Sequence, residues 1–247
     1  MLLAEMTTDE VRAFCTHPPT AVLVPVGSVE PHGPHLPLAT DAIISEEASR
    51  RAVRTLVERG VPALIAPTLP YGVTDYAAGF SGAIGVPSDV LRAMLHAIAS
   101  RLHADGFSHV CFVNNHLEPA HDHAVRGAAL ALPKGAVSVA CPLTKRWART
   151  LSDEFKRGDC HAGRYETSLV MAAGGAVRSE FSDLPDLDVS LAKEMREGRS
   201  TFLEMGLTRA YTGAPAQATK SEGDALYEKL AEMIVTEVLE GLASRAT

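Results

Sequence analysis

Nearly unbroken apolar runs alternate along the chain with stretches in which apolar residues recur every three or four positions. The runs lie at 20–26, 61–66, 109–113 and 136–140, and are rich in Val and Ala. Their length and branching predict strands buried on both faces. Between them, Ile43, Ile44, Ala48, Ala52 and Leu56 stripe a helix that opens at Asp41 and stops at Gly60. Leu91, Met94, Ile98 and Leu102 stripe a second, from Pro87 to about Ala104, with Gly106 past its end. Thr7 and Glu10 have capping-box spacing and open a short helix reaching about Thr16. Helices are also predicted over 120–132, 145–155 and 223–242, the last striped by Leu226, Leu230, Ile234, Val238 and Leu242. Alternating strands and helices predict an α/β fold with a mostly parallel, helix-covered central sheet. With no repeat, linker or low-complexity tract, residues 1–247 read as one domain.

The polar positions gather in three knots, each of which follows a predicted strand or opens a predicted helix. The first, 27–41, holds Glu30, His32, His35 and Asp41, and Pro31, Pro34 and Pro37 keep it from being a helix or a central strand. Asp41 then falls at a helix N-terminus, where a carboxylate is favoured. The second knot, 114–119, repeats the strand-then-i,i+2 arrangement with His116 and Glu118. The third, 159–163, contains Cys160 and His161 and opens a helix carrying Glu166, Thr167 and Ser168. Residues 67–86 hold four glycines and two prolines, too long and too Gly-rich for an ordinary connection, and read as a functional loop near the site. Residues 181–215 are mixed and charged and predict no definite element.

Composition narrows the function classes. Hydrophobic residues make up 46% of the chain but aromatics only 5%, so the core is aliphatic. The net charge is −7 and no basic run occurs, which argues against a nucleic-acid partner. No apolar stretch is long enough to span a membrane, and the first residues lack the form of a signal peptide. Cysteines 15, 111, 141 and 160 form no CxxC pair. Together these features predict a cytoplasmic protein with reduced thiols.

In a parallel sheet the strand ends converge on one edge. That would gather Glu30, His32, Asp41, His116 and Glu118, three carboxylates and two imidazoles. This is more than one closed structural zinc site takes, and it suits two divalent ions bridged by a shared carboxylate, for which Asp41 is the natural choice. Ions of this kind lower the pKa of bound water from 15.7 to about 7, giving a hydroxide nucleophile at neutral pH. His161, with an ordinary pKa near 6.5, is the candidate proton carrier. Metal-assisted hydrolysis of a C–N bond is the reaction class implied.

At these residues the chain resembles the creatininase (creatinine amidohydrolase) family. The segment VPVGSVEPHGPHLPLATD resembles its first motif, NNHLE its Asn-Gly-His motif, HAGRYETS its third motif and APAQATKSEG a late Gly-Pro-Ala-type segment. The resemblance implies a three-layer α/β/α fold, two Zn- or Mn-type ions (iron being a third option) and homo-oligomers, commonly hexamers. By motif position, Glu30, Asp41 and Glu118 would hold one ion, and His32, Asp41 and His116 the other. His161 or Glu118 would move the proton, and Glu166 would steady a ligand from outside. The substrate implied is a small molecule with a cyclic amide, formamide or related bond. A peptidase trimming a small peptide precursor is an alternative within the family, and a non-catalytic metal-binding homologue is one outside it. The chain departs from the pattern in Asn115, Pro119 and Ala77. Arg157 and Gly158 stand where creatininase has a Trp-Asp pair, which argues against creatinine and hints at an anionic substrate.

Other conspicuous residues have plainer readings. His35 is expected to brace the loop, His121 and His123 to face solvent at a helix start, and Trp147 to pack in the core. Ser81 lacks a nucleophile elbow, and Cys160 adjoins His161 too closely in sequence to face it.

Overall fold

The computed structural model describes residues 1–245. Four parallel strands, β1 (Ala21–Val26), β2 (Ala63–Ile65), β3 (His109–Asn114) and β4 (Val137–Ala140), lie in the order β2-β1-β3-β4. All six residues of β1 are buried because the strand is covered on both faces. Ala21 and Leu23 point into one apolar cluster, and Val22, Val24 and Val26 into another. The alternation follows from the two-residue period of a strand, and it explains why the sequence shows an unbroken apolar run.

Helices α2 (Thr40–Glu58), α7 (Arg164–Ala172) and α9 (Lys220–Arg245) cover the first face. Helices α1 (Thr8–Cys15), α3 (Ser88–Ala104) and α4 (Pro119–Leu130) cover the second. The result is the three-layer α/β/α arrangement. Thr7 caps α1 as its spacing predicts: its hydroxyl accepts from Glu10 N–H at 3.4 Å while the Glu10 carboxylate accepts from Thr7 N–H at 2.6 Å. Among the described residues no helix is long and apolar enough to cross a membrane. All four cysteines are free.

The expected helix over 145–155 is instead two short ones, α5 (Lys145–Ala148) and α6 (Asp153–Arg157). Ser152 separates them, extended at φ −62° and ψ 161°, with its hydroxyl capping Phe155 N–H. A Ser that caps stops a helix rather than continuing it. Trp147 packs in the core, with its indole N–H on Glu237.

The stretch that predicted nothing, 181–215, carries a third apolar cluster. Phe202, Met205, Leu207 and Ala210 pack with Ala77, and Tyr76, Phe80, α8 residues Leu191 and Met195 (α8, Leu191–Arg196) lie against them. Two distant irregular segments thus close over the strand ends together.

Candidate metal centre

β1 and β3 are neighbours in register, with Val26 opposite Asn114. Their carboxyl ends therefore release the first two polar knots side by side. Gly27 lets β1 end hard against the start of α2: a Cβ there would lie 2.6 Å from the backbone nitrogen of Ala42. This approach places Ser28 so that its hydroxyl donates to Asp41 Oδ2 at 2.7 Å. Ser45 donates to Val26 O at 2.7 Å and accepts from Asn115 Nδ2 at 3.1 Å, joining the two knots through α2. Asp41 lies in the first turn of α2, Glu118 at the N-cap of α4 and Glu166 in the first turn of α7. Three helix N-termini thus offset part of the cost of burying three carboxylates.

Glu30, His32, Asp41 and His116 come together as the spacing predicts. The two oxygens of Asp41 face opposite imidazoles: Oδ1 lies 3.3 Å from His32 Nε2, and Oδ2 lies 3.0 Å from His116 Nδ1. Glu30 Oε1 is 3.3 Å from His116 Nδ1 and 3.7 Å from His32 Nε2. Glu118 lines the same cavity, but its carboxylate accepts from the backbone N–H groups of Asp75 (3.1 Å) and Tyr76 (3.3 Å). Glu166 stands closer in, with Oε2 3.6 Å from His32 Nε2 and accepting from Ala162 N–H at 2.6 Å. The atoms that approach within one coordination sphere form the groups Glu30–Asp41–His116, His32–Asp41–Glu166 and Glu30–His32–His161. His116 accordingly groups with Glu30 rather than with His32, and Glu166 stands among the grouped atoms while Glu118 stands outside them.

The imidazole tautomers are set by the backbone. His32 Nδ1–H donates to Glu30 O at 3.1 Å, leaving Nε2 buried without a hydrogen-bond partner. His116 Nε2–H donates to Val73 O at 2.6 Å, so Nδ1 faces Glu30 and Asp41. His161 Nε2–H donates to Pro31 O at 3.0 Å, turning Nδ1 toward Glu30 Oε1 at 3.9 Å. Bare nitrogen lone pairs held opposite carboxylate oxygens repel unless positive charge lies between them. The buried, unpartnered Nε2 of His32 is therefore the observation that fits a divalent cation, and N/O donors of this kind suit zinc or manganese.

The titration behaviour says the same. Burial pushes the Glu30 carboxyl up, but the His116 and His32 imidazoles outweigh it and bring it to about 2. Burial opposes charge on His32, yet Asp41, Glu166 and Glu30 raise it to about 10. Glu166 is pushed up to about 8, by burial first and then by Asp41, against the pull of His32. Without a cation the carboxylates recruit protons onto the imidazoles, and metal uptake would release them. His161 is brought down to about 4, by burial and then by His32, and so stays neutral. Burial pushes the Cys160 thiol well above its ordinary value, so it is no ready nucleophile although it lines the cavity.

Several residues near the site carried no sequence signal. Thr74 donates to Glu30 Oε2, and Val73 O holds His116, so the Gly-rich loop frames the centre through its backbone. Phe202 stacks on His161 with ring centroids 4.4 Å apart, and the tilted ring of His32 lies 4.5 Å from the same imidazole. Tyr76, Leu117, Leu191, Met195 and Phe202 form an apolar roof over a cavity of about 40 Å³. Two readings change. His121, expected in solvent, is fully buried, whereas His123 is exposed. Arg157 pairs with Asp159 at 2.8 Å in a separate surface groove and does not reach this cavity. His35 shares a 2.8 Å hydrogen bond with Thr167 and braces the loop from behind.

The model of the family described as creatinine amidohydrolase matches residues 4–238. A protein of Mycobacterium tuberculosis named mycofactocin precursor peptide peptidase is 30% identical over 227 residues, covering 88% of this chain and 84% of the relative. A solved manganese form of creatininase superposes with a TM-score of 0.76 at 18% identity, covering 98% of each chain. A zinc–zinc creatininase variant gives 0.77 at 17% identity, again covering 98% of each. At such identities the structures establish the shared fold, and the sequence match over nearly the whole length establishes kinship: this chain belongs to the creatininase family.

Proposed function

We propose that the chain is a metal-dependent amidohydrolase that cleaves a C–N bond at a two-ion centre. The observation that carries this reading is Asp41, whose two carboxylate oxygens each face a ring nitrogen of a different buried imidazole, that of His32 having no hydrogen-bond partner. Glu30, Asp41 and His116 would hold one ion, and His32, Asp41 and Glu166 the other, with Glu118 steadying the loop above. The ions would polarise the amide carbonyl and make water nucleophilic at neutral pH. His161, neutral and aimed inward through Nδ1, accepts the proton of the attacking water and returns it to the leaving nitrogen. Phe202 and His32 pack against its ring, and the apolar residues lining the cavity limit the access of bulk water to the reacting bond.

Two substrate classes are in view, each with its own support. The relative at 30% identity is named a peptidase, which favours a peptide amide. The small cavity favours a compact group such as a lactam or formamide. The absence of any charged side chain from the roof favours neither creatinine nor an anion. Metal analysis paired with turnover assays decides among these. Protein loaded with zinc or manganese should bind two equivalents and hydrolyse short peptides, lactams or formamides. Two bound equivalents with no turnover of any of the three would leave the non-catalytic homologue standing instead.

A further inference from the structure

Residues 73–76 are tied by hydrogen bonds to Glu30, His116, Glu118 and His121. Val73 is held at both of its polar groups by imidazoles. Its carbonyl accepts from His116 Nε2–H at 2.6 Å, and its N–H donates to His121 Nδ1 at 3.3 Å. The two rings meet edge-on, 4.6 Å apart at 80°. Gly72 allows this, since a Cβ there would lie 2.4 Å from His121 Nδ1.

His121 is a costly way to fill core volume. It is fully buried, and Nε2, which must carry the proton when Nδ1 accepts, has no partner. A Leu or Met would fill the space without an orphaned donor. Its one hydrogen bond goes to the residue whose carbonyl fixes the tautomer and orientation of His116. We propose that His121 is a positioning residue for the metal centre, acting on His116 through Val73. The proposal rests on the reading of His116 as a ligand.

The test uses the full chain. In NMR of zinc-loaded protein labelled with ¹⁵N-histidine, His121 should show an unprotonated Nδ1 and a protonated Nε2; the opposite tautomer overturns the proposal, even if no variant folds. Zinc calorimetry then compares three proteins. His121→Asn places an amide oxygen near the position of Nδ1 and should bind both equivalents within about threefold of wild type. His121→Phe fills the volume without an acceptor and should weaken one equivalent by roughly 10- to 100-fold while sparing the other. Equal weakening in both variants would mean packing alone, and unchanged binding in His121→Phe would mean no role; either result overturns the proposal. If wild type itself binds no zinc, the metal-centre reading fails and this proposal falls with it. Full wild-type binding that persists in His121→Phe removes only the proposal.

Discussion

Asp41 does what no other side chain in the site does: it offers one oxygen to each of two imidazole-centred groups. Its replacement by Ala should therefore abolish both metal equivalents, whereas Glu166→Gln should cost mainly one. Elemental analysis of the purified variants measures this, and a full complement of metal in Asp41→Ala would refute the bridging assignment. His161 is different in kind. Its Nε2–H is committed to Pro31 O, its ring is held by stacking, and only Nδ1 faces the cluster. His161→Ala should keep its metal yet lose roughly 10²- to 10⁴-fold in turnover, the usual worth of a placed acid–base group. An unchanged rate would remove His161 from proton transfer.

Elements bring these residues together by close approach, and β1 against α2 is the clearest case. Adding a methyl group at Gly27 would place it 2.6 Å from Ala42 N and 2.9 Å from Ala42 Cα. Those are backbone atoms in a helix and cannot swing aside. Gly27→Ala should cost about 1–3 kcal/mol, the range for overpacking, and should also lower metal affinity by displacing Asp41. Urea unfolding and zinc titration read the two effects; loss of neither would show that the junction is looser than its geometry implies. The Gly-rich loop works by the same logic, through its backbone. Glu118 grips two of its N–H groups and His116 one of its carbonyls. Loop composition signals that such a segment matters but not which of its peptide groups is used.

Across the whole molecule, buried neutral imidazoles make the fold sensitive to acid. His109 lies at the start of β3, away from the centre; its Nδ1–H donates to Gly135 O at 2.9 Å and Ser138 donates to Nε2 at 2.8 Å. Burial, above all, brings it down to about 4, and burial brings His35 to about 4 as well. A folded-state pKa below the unfolded value near 6.5 means that the unfolded chain binds more protons between those limits. Stability is then complete above about pH 6.5 and falls as the pH drops toward 4, by about 3 kcal/mol for a histidine shifted this far. His109→Gln should flatten the slope of unfolding free energy against pH in that window. A wild-type stability constant from pH 7 to 4 would contradict the assignment.

What the sequence determined alone was local. Unbroken apolar runs marked strands covered on both faces, three- and four-residue stripes marked the helices, and the polar knots at strand ends marked the cluster, because these signals are written in neighbouring residues. Tertiary structure decided what depends on distance in space. It drew Glu166 inward, tied Glu118 to the loop at 75–76, buried His121, and set Arg157 against Asp159 away from the cavity. It also turned the featureless 181–215 into a roof, through Phe202, Leu191 and Met195. Those residues sit in a turn and in a six-residue helix too short to show a period, and their partners at 76–80 lie more than a hundred positions earlier. Periodicity reports which face of an element is buried; only the packed molecule decides what that face is buried against.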